Sequence, residues 1–115
     1  SLGGVFVLRV LEKLKHPVWA AITVGAPVGV RPLHNYARDS SFSGFDFDWD
    51  TIKKNAKHLV VYHSDDDLMV SLRNGEELAK NLGVELSFIP HSGHFNAKAG
   101  YLSFPQLLKE VKKLL

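Results

Sequence analysis

Residues 58–67 read HLVVYHSDDD. An apolar, β-branched run closed at once by three aspartates predicts a strand buried on both faces, with charge gathered at its carboxyl end. Working outward, the same kind of unit recurs on either side. Upstream, AAITVGAPVGV (20–30) is a second such run, ended by Gly and Pro. Downstream, VELSFIP (84–90) is a third, followed by HSGHF. Helical patterns separate and flank these runs. Residues 74–82 predict a helix closed by Gly83 in the position after its C-cap. Between Leu2 and Lys15 only Arg9, Glu12 and Lys13 form a wet stripe, which predicts a largely buried helix stopped by Pro17.

The remaining chain completes the pattern. HNYARDSSFSGFDFDWD (34–50) is dense in turn formers and reads as a long excursion, after which Asp50 can cap a short helix over TIKKNA. Phe104, Leu107, Leu108, Val111, Leu114 and Leu115 mark an amphipathic C-terminal helix. Strands alternating with helices predict the α/β class, a doubly wound, mostly parallel sheet with helices on both faces. Residues 1–115 read as one portion of a single domain. Because the chain opens on a helix, a strand is expected ahead of it, and three parallel strands alone leave an exposed edge.

Composition narrows the function classes. At 115 residues and 45% hydrophobic content the chain is globular rather than disordered. It has no cysteine, which excludes disulfides, thiolate catalysis and Cys-ligated zinc, and fits a cytoplasmic protein. No apolar run reaches membrane-spanning length. The net charge is +2, and the lysines at 109, 112 and 113 read as a solvated helix face, so no nucleic-acid stripe is expected.

In open parallel sheets, functional groups gather at the carboxyl ends of strands. Three places qualify: Ser1 at the start of the first helix, the acidic cluster Asp65, Asp66 and Asp67, and His94 within SGHF. A serine hydroxyl needs a histidine to take its proton, and that histidine needs a carboxylate to orient it. The order Ser…Asp…His is that of the α/β-hydrolases. Gly3 would supply the small residue a tight strand-to-helix turn requires, and the Leu2 N–H, at a helix N-terminus, would be an oxyanion donor. Any of the three aspartates can serve as the acid on this reading.

SLGGVFVLRVLEKL, GAPVG, FSGFDFDWDTIKKNAKHLVVYHSDDD and ELSFIPHSGHFNAKAGYLSFPQLL together cover most of the chain. They resemble the small serine-hydrolase family typified by retinoblastoma-binding protein 9 and the YdeN-type hydrolases. The resemblance implies Ser1 as nucleophile, the serine of a G-x-S-x-G elbow. It implies His94 as base and Asp67 as acid. Family members place a Pro-x-x-Pro-like turn after that acid, which here reads Leu68-Met69-Val70-Ser71, so Asp65 and Asp66 stay candidates. The implied reaction is cleavage of a small carboxylic ester, or an amide, with no cofactor.

Other readings compete at particular residues. Phe45 and Trp49 either pack the excursion onto the sheet or, with Phe95, line an apolar acyl pocket. His91 and His94 form His-x-x-His near the aspartates, but Pro90 and Gly93 disfavour a helix and no third nitrogen or sulfur ligand is evident, so no metal is expected. His63 reads as a strand-end residue. The competing class for the whole chain is a non-catalytic interaction module, with a protein partner, on a hydrolase scaffold.

Overall fold

The computed structural model describes residues 1–32 and 44–115, so residues 33–43 of the excursion lie outside the described residues. The chain runs α1 (Leu2–Lys13), β1 (Val18–Val24), α2 (Trp49–Lys54), β2 (Ala56–His63), α3 (Leu72–Leu82), β3 (Leu86–Phe88), a 3₁₀ turn (Ala97–Ala99) and α4 (Pro105–Leu114). Among the described residues the sheet has the order β1-β2-β3, parallel throughout. Val24 lies opposite Tyr62, and His63 opposite Phe88, so all three strands end at one edge.

The core forms where α1, α2 and α3 meet the sheet: Val5, Leu8 and Leu11 from α1, Ile52 from α2, Val61 from β2, and Leu78 and Leu82 from α3. Side chains alternate along a strand. His63 meets Gly75 of α3 while its neighbour Tyr62 stacks edge-on against Phe104, at the start of α4. Helices therefore cover both faces. α3 ends at Gly83, in the left-handed conformation that the position demands.

Four expectations change in detail. α1 is buried only along Gly4, Val5, Leu8 and Leu11, and Phe6 is 56% exposed, because the helix meets the described sheet along one side. β1 alternates, with Ala21 and Thr23 buried but Val18 and Trp19 open. The cap of α2 is Asp48, not Asp50, since Asp48 is the residue whose carboxylate accepts from the Thr51 N–H. α4 forms, but its apolar stripe is not enclosed: none of its residues is buried and Leu108 is 56% exposed.

Candidate active site

Four segments converge at the carboxyl edge of the sheet. The first is the junction of β1 and α1. Ser1 donates its main-chain nitrogen to Val24 O at 2.6 Å, so it sits over the last residue of β1. A Cβ on Gly4 would lie 2.6 Å from Ala26 Cβ, and that close approach brings the first turn of α1 onto the β1 end. Among the described residues the close approach is at Gly4, while nothing lies within 4 Å of a Cβ built on Gly3. The Leu2 N–H opens α1 beside Ser1.

The second segment, Gly25, follows Val24 with φ +57 and is hydrogen bonded to Tyr62 O at 3.0 Å. A Cβ there would stand 3.3 Å from both Asp67 Oδ2 and His94 Nδ1. That backbone favours glycine, and a side chain at this point would press on the acid–histidine pair.

The third and fourth segments supply that pair. Asp67 Oδ1 accepts from the N–H groups of Met69 and Val70, each at 2.9 Å. Its Oδ2 is thereby left for His94 Nδ1, at 2.7 Å, with the carboxylate side chain fully buried and the imidazole 15% exposed. Burial by itself raises the Asp67 carboxyl. The hydrogen bonds from His94, Val70 and Met69 outweigh it and hold the group below the ordinary carboxylate range. Asp67 is therefore ionised, and since a carboxylate only accepts, His94 Nδ1 is the donor of this bond and Nε2 lies on the ring edge away from the acid.

Of the three candidate acids, the structure pairs only Asp67 with His94. Asp65 Oδ1 accepts from the His91 N–H at 2.8 Å, and Asp66 Oδ1 from the Gly93 N–H and the Ser64 hydroxyl, each at 2.8 Å. The Gly93 and Ser64 bonds hold the Asp66 carboxyl low. The His-x-x-His spacing diverges: His94 turns to Asp67, whereas His91 groups with Asp65 and Asp66, ligating atoms within 4.8 Å of one another. Oδ1 of each of the two aspartates already accepts from the loop backbone.

The histidine loop is bent sharply, with His91, Gly93 and Phe95 all at positive φ. Two of these are not glycine, and such strain persists only where surroundings over-determine it. The Phe95 ring packs against Tyr101 and Phe104 at 5.1 and 5.4 Å. Ser64 Oγ receives the Ser92 N–H at 2.8 Å, and Ser92 Oγ meets Tyr101 Oη at 2.8 Å.

Next to His94 lies a cavity of about 250 Å³, lined by the apolar Leu68, Met69 and Ala99 and the polar Asp66, Asn96 and Lys98. Phe45, Trp49 and Phe95 do not line it. Phe45 abuts Gly29, Trp49 packs on Phe47 at 4.9 Å, and Phe47 lies under the Arg9 guanidinium. The aromatic segment is thus fastened to α1 rather than laid on the sheet. Leu68, Met69, Ser64 and Ser92 were not legible as site residues. A serine directly before an acidic cluster at a strand end is the one signal that could have pointed to Ser64.

Comparison with known proteins bears on the family and the fold. A family model described as Serine hydrolase matches residues 1–113. The rat (Rattus norvegicus) protein "Serine hydrolase RBBP9" is 29% identical over 115 residues, all of this chain and 58% of that one. The solved structure of the ydeN gene product from B. subtilis superposes with a TM-score of 0.88 at 28% identity, over 99% of this chain and 61% of that one. The chain spans about three fifths of the length of these relatives. The family match runs through every element described above, and by it this chain belongs to the serine hydrolase family, on an α/β-hydrolase scaffold.

Proposed function

We propose that Ser1, His94 and Asp67 form a catalytic triad that hydrolyses small carboxylic esters through an acyl-enzyme, with amides as poorer substrates. Ser1 Oγ attacks the ester carbonyl carbon while His94 Nε2 takes the hydroxyl proton. Asp67 keeps the ring in the required tautomer and stabilises the imidazolium. The oxyanion of the tetrahedral intermediate is held at the start of α1, with the Leu2 N–H as donor. His94 then protonates the leaving alcohol. Water attacks the acyl-enzyme by the same route in reverse, releasing the acid and restoring Ser1. The steps use no cofactor.

The observation that carries this reading is the 2.7 Å contact between a buried aspartate and His94, facing Gly25, one residue beyond the strand end that holds Ser1. The cavity beside His94 has room for a small acyl or alkoxy group, and its apolar wall suits an uncharged one. A small-molecule ester in the cytoplasm is the substrate setting that fits the cysteine-free composition.

Hydrolysis of p-nitrophenyl acetate and butyrate by the intact protein tests the reading. Ser1→Ala and His94→Ala are expected to abolish turnover, and Asp67→Asn to leave a trace. Full activity in His94→Ala overturns the triad. A folded protein with no esterase activity favours the non-catalytic scaffold.

A further inference from the structure

His63 is the last residue of β2, and its side chain is completely buried. An imidazole there needs a reason, because a leucine would fill such a site without the cost of burying a polar ring. Its Nε2 lies 2.8 Å from Val70 O. A carbonyl only accepts, so Nε2 carries the proton and Nδ1 is the lone-pair nitrogen. Nδ1 has no hydrogen-bond partner among the described residues. Burial pushes the ring below the usual histidine range, which keeps it neutral.

Val70 is the residue that connects this ring to the acid. Its carbonyl takes the His63 proton, and its N–H goes to Asp67 Oδ1 at 2.9 Å. Oδ1 is saturated by Val70 and Met69, which turns Oδ2 to His94. His63 Nε2 is itself 3.8 Å from Oδ2, too far to compete for it. The amide bonds to Asp67 Oδ1, the buried Val70 side chain and the Asn74 bond to Ser71 Oγ also restrain the turn, but Leu68-Met69-Val70-Ser71 contains no proline to fix φ, and Leu68 is 93% exposed. The ring is held in turn by α3, where a Cβ on Gly75 would lie 2.6 Å from His63 Cβ and 2.7 Å from Cγ and Nδ1.

We propose that His63 is a positioning residue for the hydrolytic reaction: its hydrogen bond to Val70 O holds the Asp67–Val70 turn in the shape that presents Asp67 Oδ2 to His94. The role rests on the triad reading above, and acts on the acid rather than on substrate.

Three variants of the intact protein test it: His63→Phe fills the site without a donor, His63→Gln restores a donor near the Nε2 position, and Gly75→Ala crowds the ring. Each is read by kcat and KM on p-nitrophenyl acetate and by the downfield proton NMR signal of His94 Nδ1–H. His63→Phe should lower kcat roughly ten- to hundredfold with KM little changed, as a small misplacement of a catalytic group does. The His94 signal should broaden or move upfield. His63→Gln should recover most of both. Gly75→Ala, though better suited to a helix, should reproduce the loss in weaker form, and it carries the test should His63→Phe not fold. Wild-type kcat and an intact signal in His63→Phe, or in Gly75→Ala, overturn the proposal. Equal losses in Phe and Gln variants with the His94 signal intact in both would reduce His63 to a stability role. A wild-type protein lacking both turnover and the His94 signal would instead remove the triad itself.

Discussion

Asp46, Asp48 and Asp50 alternate with aromatic residues, whereas Asp65, Asp66 and Asp67 follow one another without a break. In the first stretch every partner is a neighbouring turn or α1. Asp48 accepts from Thr51 through both carboxylate oxygens, Asp46 O accepts from Arg9, and Asp50 reaches Lys53 at 3.8 Å in solvent. The tertiary contact is made by the aromatics between them, led by the buried Phe47. In the second stretch successive carboxylates take successive parts of one distant loop: His91, Gly93 and His94. In the first stretch the acids stay exposed while the aromatics between them turn inward. Consecutive acids at a strand end fan out, and here each accepts from a different residue of the histidine loop.

The sharpest break in this comparison is at Asp67. Asp67→Asn should lower kcat about 10⁴-fold, because an amide presents the wrong groups to His94 Nδ1. Steady-state hydrolysis measures it. Asp66→Ala should cost roughly tenfold in kcat by freeing Gly93 and Ser64, with Asp65→Ala smaller still, since Asp65 holds the His91 N–H and only a long contact of 3.5 Å from Ser64 Oγ. If Asp65→Ala matched Asp67→Asn, the division of labour drawn here would be wrong.

Acid should act on the second stretch through the same bonds. A carboxyl held low in the folded state contributes fully above its unfolded value of 3.8 and loses that contribution as pH falls through the lower folded value. The stability gap between wild type and Asp67→Asn, from urea unfolding, should therefore be widest near neutrality and narrow below about 3.8. A gap unchanged by acid would contradict the bonding described for Asp67.

The mildest expectation concerns the first stretch. Asp48→Ala removes the cap of α2 and should lower Tm by roughly 2–5 °C while leaving ester hydrolysis as it was. Loss of activity in this variant would mean that the two acidic stretches are not separate in function.

The parallel strands, their order along the chain and the Gly83 stop were legible because each depends on local pattern: β-branched runs, turn residues, a left-handed cap. The convergence of Ser1, Asp67 and His94 on one sheet edge followed from the strand-end rule and the resemblance together. What could not be read is which neighbour a residue meets. Apolar pattern shows that Phe6 and Trp19 are apolar, not that the described structure leaves them 56% and 53% exposed. The aromatics at 45 and 49 fit a pocket or a packing surface equally well until the Arg9 contact with Phe47 ties their segment to α1. His63 depends on Val70, seven residues on, and on Gly75 in the next helix, and no spacing rule joins those three.

The central claim is that Ser1 is a nucleophile activated by the Asp67–His94 pair. Fluorophosphonate labelling of the intact protein with peptide mapping tests it most directly. The account predicts one adduct, on Ser1, that is lost in His94→Ala and in Asp67→Asn slowed by orders of magnitude. Labelling of another residue, or an adduct on Ser1 that forms as fast without His94, would contradict it.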